Sequence, residues 1–304
     1  MSEITLSERS TTEFKLIMLA ATLSHESVQG VFSYCKTQSW LTAEPAIVKV
    51  DSRCSNVSLN IPTVNLEAAS AQLKALADNF KIDLVLMPVS EFYRERKLAV
   101  FDMDSTLIKV EVIDELAKRA GVGEQVIAIT AAAMRGELDF NQSFKQRLGL
   151  LRGLSGTVLA DIAENLPMME GMQTLIAGLQ QRGYKTAILS GGFSYFAQHL
   201  QGKYGFDYSF SNTLEIESGK VTGRVVGEIV NGERKVQHLH HIAHTEGFDL
   251  SQTIAVGDGA NDLPMLAAAG LGVAFHAKPM VRAQAKHCVS HLGLDALLYL
   301  IDTD

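Results

Sequence analysis

The chain has 304 residues, of which 47% are hydrophobic and 20% charged, so it can bury sizeable cores in two domains and is neither disordered nor a charged polymer. Its formal net charge of -7 argues against a surface built for nucleic acid or anionic lipid, which reward clustered Lys and Arg. Cys35, Cys54 and Cys288 are odd in number and form no C-x-x-C pair, which indicates neither a disulfide framework nor a zinc site.

Met1 to Thr12 is polar and lacks the basic-then-apolar order of a signal peptide, and no apolar run reaches the ~20 residues that span a bilayer. A soluble, cytoplasmic protein is expected. Periodicity then predicts a strand over Phe14 to Leu19, a helix over Glu26 to Cys35, strands over Ala46 to Asp51 and Asn56 to Ile61, a helix over Glu67 to Phe80 and a strand over Leu84 to Val89. That βαββαβ order is ferredoxin-like and by pattern resembles the ACT-type regulatory modules of amino-acid enzymes. It leaves open a regulatory or dimerisation role and a homodimer. Residues 1–90 are expected as this small α+β domain and the charge-dense 91–97 as a linker. Residues 98–304 are expected as a second domain.

In that second part, the apolar run Leu98 to Phe101 reads as a buried parallel strand delivering Asp102 and Asp104 at its end. A change to helical periodicity marks an all-helical insertion over about 110–168. A helix over Met172 to Gln181, a strand over Lys185 to Leu189, a helix over Tyr195 to Leu200, a strand over Thr253 to Val256 and a helix over Leu263 to Ala269 follow. Their alternation predicts an α/β doubly wound parallel sheet. Leu214 to Glu217 and Val221 to Val225, flanking Ser218 and Gly219, read as a β-hairpin.

Chemistry concentrates at strand ends. Two carboxylates in Asp102-Met103-Asp104-Ser105-Thr106 project from nearly one side, so a cation, a shared proton or solvent must offset their repulsion; a divalent metal answers best. An EF-hand loop is excluded, because Leu107 and Ile113 stand where it needs Gly and Glu. Ser190-Gly191-Gly192 offers a hydroxyl and free backbone N–H groups, a small anion cradle that equally suits a plain turn. Lys235 could supply a fixed positive charge for a phosphoryl group, although a lysine at a helix start is usually solvated. Gly257-Asp258-Gly259-Ala260-Asn261-Asp262 places an acid between two glycines and matches neither G-x-G-x-x-G nor a P-loop.

These four motifs in this order resemble the haloacid dehalogenase superfamily of phosphatases. Within it, the stretch Asp102 to Ala117 and the run Met134 to Phe140 look like the phosphoserine phosphatases. The resemblance covers Leu98 to the C-terminus. It implies a Rossmann-like core with a helical cap, magnesium as cofactor, and hydrolysis of the small molecule phosphoserine as the last step of serine biosynthesis. Phosphoryl transfer to another alcohol, or another small phosphomonoester substrate, stays as the alternative. Carried over by residue, Asp102 is the nucleophile and Asp104 the general acid and base. Asp102, Asp258 and the Asp104 carbonyl are implied to bind the metal, and Ser190, Gly191, Lys235 and Asn261 the phosphate. Asp262 is implied to orient Lys235 or a water. Glu111 takes the substrate ammonium, Arg147 its carboxylate, and Met134 and Phe140 line the lid.

Overall fold

The computed structural model describes residues 11–42 and 45–301, so most of the polar N-terminal stretch lies outside the described residues. Contacts divide the chain into two compact units, one of residues 1–95 with 287–304 and one of residues 96–286.

In the first unit, β1 (Thr11–Leu19), α1 (His25–Thr37), β2 (Ile47–Lys49), β3 (Cys54–Pro62), α2 (Leu66–Phe80) and β4 (Asp83–Pro88) follow in the expected order, and α3 (Val89–Phe92) adds a helical turn where a linker was expected. The sheet order is β2-β3-β1-β4, with every pair antiparallel. Burial alternates along β3 and β4, the period-two pattern of a sheet with one face on a core. Leu16, Val57, Leu59 and Ile61 from the strands pack with Val31 of α1 and Leu73 of α2. Ser24 caps α1, its side chain accepting from the Ser27 N–H at 3.0 Å.

The second unit contains β5 (Leu98–Phe101), four helices α4 (Val112–Ala120), α5 (Gly123–Met134), α6 (Phe140–Leu150) and α7 (Val158–Glu164), then α8 (Met172–Gln181), β6 (Lys185–Phe193), α9 (Ser194–Tyr204), β7 (Tyr208–Glu217), β8 (Lys220–Val226), α10 (Gly232–Glu246), β9 (Thr253–Gly257), α11 (Leu263–Ala268), β10 (Leu271–Phe275) and α12 (Pro279–Gln284). Its strands lie in the order β10-β9-β5-β6-β7-β8. All neighbours are parallel except β7 and β8. β5 and β9 are wholly buried, as a sheet covered on both faces requires. The expected doubly wound α/β core is therefore present.

Within the sheet of this unit, the strands differ from the sequence expectation in several places. The first hairpin strand is the far end of β7, whose near end pairs parallel with β6. Its polar Ser209, Ser211 and Asn212 hid that stretch from an apolar pattern. β10 was not expected because Gly270 and Gly272 break the short apolar run. Ser190 to Gly192 lie within the end of β6 rather than beyond it.

α4 to α7 form the expected helical insertion. Its stem is closed where chain enters and leaves: the Lys109 N–H donates to the Pro167 carbonyl and the Met169 N–H to the Leu107 carbonyl, each at 2.9 Å. A capping box at Asp139 and Gln142 starts α6. The Gly153 N–H donates to the Val221 carbonyl at 2.8 Å, tying the insertion to β8.

The C-terminal segment, expected within the second domain, clusters instead with the first unit. After β11 (His287–Val289), both oxygens of buried Asp83 accept from the Ser290 and His291 N–H groups at 2.8 and 2.9 Å. Arg53 forks onto Asp295 at 2.6 and 3.2 Å. Such long-range polar pairs leave no local signature in a sequence.

Candidate active site

Parallel strands deliver their carboxyl ends to one edge, and the crevice beside a reversal of strand order is where open α/β sheets bind ligands. Here β5, with β6 and β9 on either side, ends in Asp102, β6 in Ser190 to Gly192, and β9 in Asp258. The Asp102 N–H donates to the Val256 carbonyl at 2.9 Å, continuing the ladder one residue beyond β5. The chain then turns sharply: Thr106, Leu107 and Ile108 all donate N–H groups to the Met103 carbonyl at 2.8 to 3.2 Å, and Ser105 adopts a left-handed φ of 57°.

Lys235, in the first turn of α10, is 0% exposed. It is not the solvated lysine its position alone suggests. Its Nζ lies 2.7 Å from Asp102 Oδ1 and 2.6 Å from Asp262 Oδ1. Burial works against the ammonium charge, but Asp102 and Asp262 more than offset it and hold the pKa above the ordinary lysine value. Asp262 also accepts from the Gly259 N–H at 2.9 Å, which fixes its carboxylate against Lys235.

Asp102, Asp258 and Asp262 each present a ligand oxygen within 4.8 Å of the others. Burial and then the charge of Asp262 push Asp102 up to about 7, against the pull of Lys235. Burial and then Asp102 and Asp262 push Asp258 up to about 8, although the Thr106 hydroxyl donates to its Oδ1 at 3.2 Å. Three carboxylates cluster here, the ammonium of Lys235 touches only Asp102 and Asp262, and the donors are all oxygen. That set fits a divalent, oxygen-seeking metal ion. Thr106 and the place of Asp262 in this carboxylate cluster leave no mark in the motifs; both are fully buried, and burial is not visible in a motif.

Asp104 is buried and accepts from the Val112 N–H at 3.2 Å. Burial, then the charges of Glu111 and Asp102, hold its carboxyl well above the usual carboxylate range. A Cβ on Gly192 would lie 2.6 Å from Asp104 Oδ2, so only glycine lets the end of β6 approach this acid. Ser190 is fully buried, and its Oγ accepts from the Gly192 N–H at 2.8 Å. Asn261 is half-buried, with its amide turned to Asp262 at 3.5 Å.

The insertion supplies the far wall. Glu111, at the cap of α4, accepts from the Ser105 hydroxyl at 2.8 Å. Arg147 on α6 is half-buried and donates from Nε to the Ser143 carbonyl at 3.4 Å. Burial disfavours its charge, and Glu111, Asp114 and Asp104 offset that in part. Phe140 stacks on Phe144 at 6.1 Å, and its Cζ lies 3.0 Å from where a Cβ on Gly191 would be. Met134, expected beside it, is 60% exposed, because the end of α5 that carries it faces solvent.

An acid pair after a central strand, a lysine buried against it and a third acid after the neighbouring strand constitute a family-level arrangement, and a model of the haloacid dehalogenase-like hydrolases matches residues 99–267. The chain belongs to the haloacid dehalogenase-like hydrolase family. Among its relatives, a phosphoserine phosphatase of Haemophilus influenzae is 49% identical over 74% of this chain and 71% of the relative. A haloacid dehalogenase family hydrolase from Salmonella enterica serovar Typhi superposes with a TM-score of 0.85 at 34% identity, covering 95% of this chain and 99% of that one. A phospho-aspartyl intermediate analogue of a phosphoserine phosphatase superposes with a TM-score of 0.65 at 42% identity, over 69% of this chain and all of that one. Among the described residues, no helix is long and apolar enough to cross a membrane.

Proposed function

We propose that this hydrolase converts O-phospho-L-serine to L-serine and inorganic phosphate, with magnesium as its metal and Asp102 as its nucleophile. The observation that carries the reading is the buried Lys235 bridging Asp102 and Asp262 at the sheet edge, together with relatives that are themselves phosphoserine phosphatases.

Asp102 attacks phosphorus in line, forming an aspartyl-phosphate as the ester oxygen departs, which divides one difficult displacement into two easier ones. Asp104 gives its proton to the departing serine oxygen and later takes one from the water that opens the aspartyl-phosphate. Its buried position beside Glu111 and Asp102 suits an acid that starts protonated. Lys235, the Ser190 hydroxyl and the Gly191 N–H hold the equatorial oxygens, where charge must be stabilised in the transition state. Asn261 adds a contact to the phosphoryl group. Asp102, Asp258 and the Asp104 carbonyl beside Asp262 would hold magnesium, which when bound would supply positive charge that lets an anionic nucleophile meet an anionic ester.

Selectivity resides in the cap. Glu111 meets the substrate ammonium and Arg147 its carboxylate, the guanidinium fork matching the planar acid. Phe140 over Gly191 excludes water. The test compares phosphate release from L-phosphoserine with release from sugar and nucleotide phosphates, with magnesium and with a chelator. Preference for phosphoserine and loss of activity with chelator are expected; equal rates on all substrates overturn the substrate assignment.

A further inference from the structure

We infer that Asn212 is a positioning residue that presents the Ser190 hydroxyl to the phosphoryl group, an inference that rests on the phosphatase reading above. Asn212 is 2% exposed on β7, a strand whose pairing with β6 shifts register. Leu189 lies opposite Phe210, but Phe193 lies opposite Asn212. Four steps along β6 thus match two along β7, so Ser190, Gly191 and Gly192 leave the ladder as a bulge.

Buried backbone groups that lose strand partners need others. The Gly191 carbonyl accepts from Asn212 Nδ2 at 2.8 Å, and the Gly192 N–H donates to Ser190 Oγ at 2.8 Å. The single peptide plane between Gly191 and Gly192 is therefore held at both poles. At the other end of its amide, Asn212 Oδ1 accepts from the Val230 N–H at 2.8 Å. The next residue, Asn231, caps α10, which carries Lys235 in its first turn. One buried side chain thereby braces the anion-binding bulge against the segment that leads into the phosphate-binding lysine.

The orientation of this amide is forced. A carbonyl can only accept and a backbone N–H can only donate, so the flipped asparagine would lose both bonds. All the hydrogen bonds then run in one sense: Val230 N–H to Asn212, Asn212 to Gly191, Gly192 N–H to Ser190. Aligned bonds polarise one another. The series ends with a Ser190 oxygen lone pair occupied, which leaves the hydroxyl proton for donation to a phosphoryl oxygen. Aspartate at this position keeps the acceptor for Val230 but, when ionised, opposes the Gly191 carbonyl with an oxygen that cannot donate.

The experiment is a double-mutant cycle on Asn212→Asp and Ser190→Ala in the full chain with magnesium, read as kcat/KM on phosphoserine and on p-nitrophenyl phosphate. Asn212→Asp is expected to lower both values by about 10- to 100-fold in the presence of Ser190, below the full loss of an oxyanion donor. In the Ser190→Ala background it is expected to cost less than about 3-fold, because the group it positions is gone. Equal losses in both backgrounds, or Asn212→Asp within about twofold of the parent, overturn the inference. If Asn212→Asp fails to fold, the smaller Asn212→Ser runs the same cycle. Turnover of p-nitrophenyl phosphate without phosphoserine would sink the substrate assignment while the cycle still decides the role of Asn212. No turnover of either would overturn both.

Discussion

At the sheet edge, Lys235 is fully buried between Asp102 at 2.7 Å and Asp262 at 2.6 Å, whereas on the cap Arg147 is half-buried and holds one 3.4 Å contact to a backbone carbonyl. The edge groups stand at the ends of buried strands and at the starts of α10 and α11, and are fixed by one another. The cap groups stand on helices joined to the core by a short stem, Glu111 held by the Ser105 hydroxyl and Arg147 set among the charges of Glu111, Asp114 and Asp104. The contrast separates two tasks: bond cleavage needs donors fixed before the substrate arrives, while selectivity needs charges that a particular substrate completes.

Removing the edge lysine should break this contrast most severely. Lys235→Ala leaves Asp102 and Asp262 buried without their cation, so it should cost about 3 to 5 kcal/mol in the metal-free protein. Turnover should fall at least ~100-fold with it. Urea unfolding and steady-state rates read the two losses; a stability change under ~1 kcal/mol would show that the pair is solvated in solution. Arg147→Ala should instead lower kcat/KM on phosphoserine by about 10- to 100-fold, mainly through KM, as expected for one charged hydrogen-bonding partner. An unchanged substrate preference would remove Arg147 from the pocket.

Magnesium, on the proposed reading, should act on the edge alone. With magnesium near 100 times its dissociation constant, linkage stabilises the folded protein by about 2.7 kcal/mol, a rise in melting temperature of roughly 5 to 10 °C for a domain of this size. Asp258→Asn should abolish that rise while making the metal-free protein slightly more stable, since it removes one of three crowded carboxyl groups whose ionised forms repel. A persisting full rise would place the ion elsewhere. The smallest effect belongs to the first unit: Asp295→Asn breaks a partly exposed fork to Arg53 worth about 1 kcal/mol or less, and phosphoserine turnover should stay within about twofold. A larger loss of rate would tie that unit to catalysis.

The motifs revealed the edge well. Asp102, Asp104, Ser190, Gly191, Lys235 and Asp258 converge in space because each follows an apolar strand or opens a helix at the same sheet edge. That rule is local and visible in sequence. Asn212 and Thr106 were not visible, because their importance comes from what they touch across the sheet. Asn212 reads as one more polar residue in a Ser- and Asn-containing stretch, and only the register shift opposite Gly191 gives it a task. Asp83 and Asp295, far apart in sequence, likewise show their role only once the C-terminal segment is seen against β4 and the β2–β3 turn.

The proposed nucleophile, Asp102, offers the most direct measurement. Phosphoserine mixed with the protein and magnesium, quenched in acid within the first turnover and mapped by mass spectrometry, should yield a phosphoryl adduct on Asp102, and Asp102→Asn should yield none. An adduct on any other residue, or undiminished turnover by Asp102→Asn, would contradict the account.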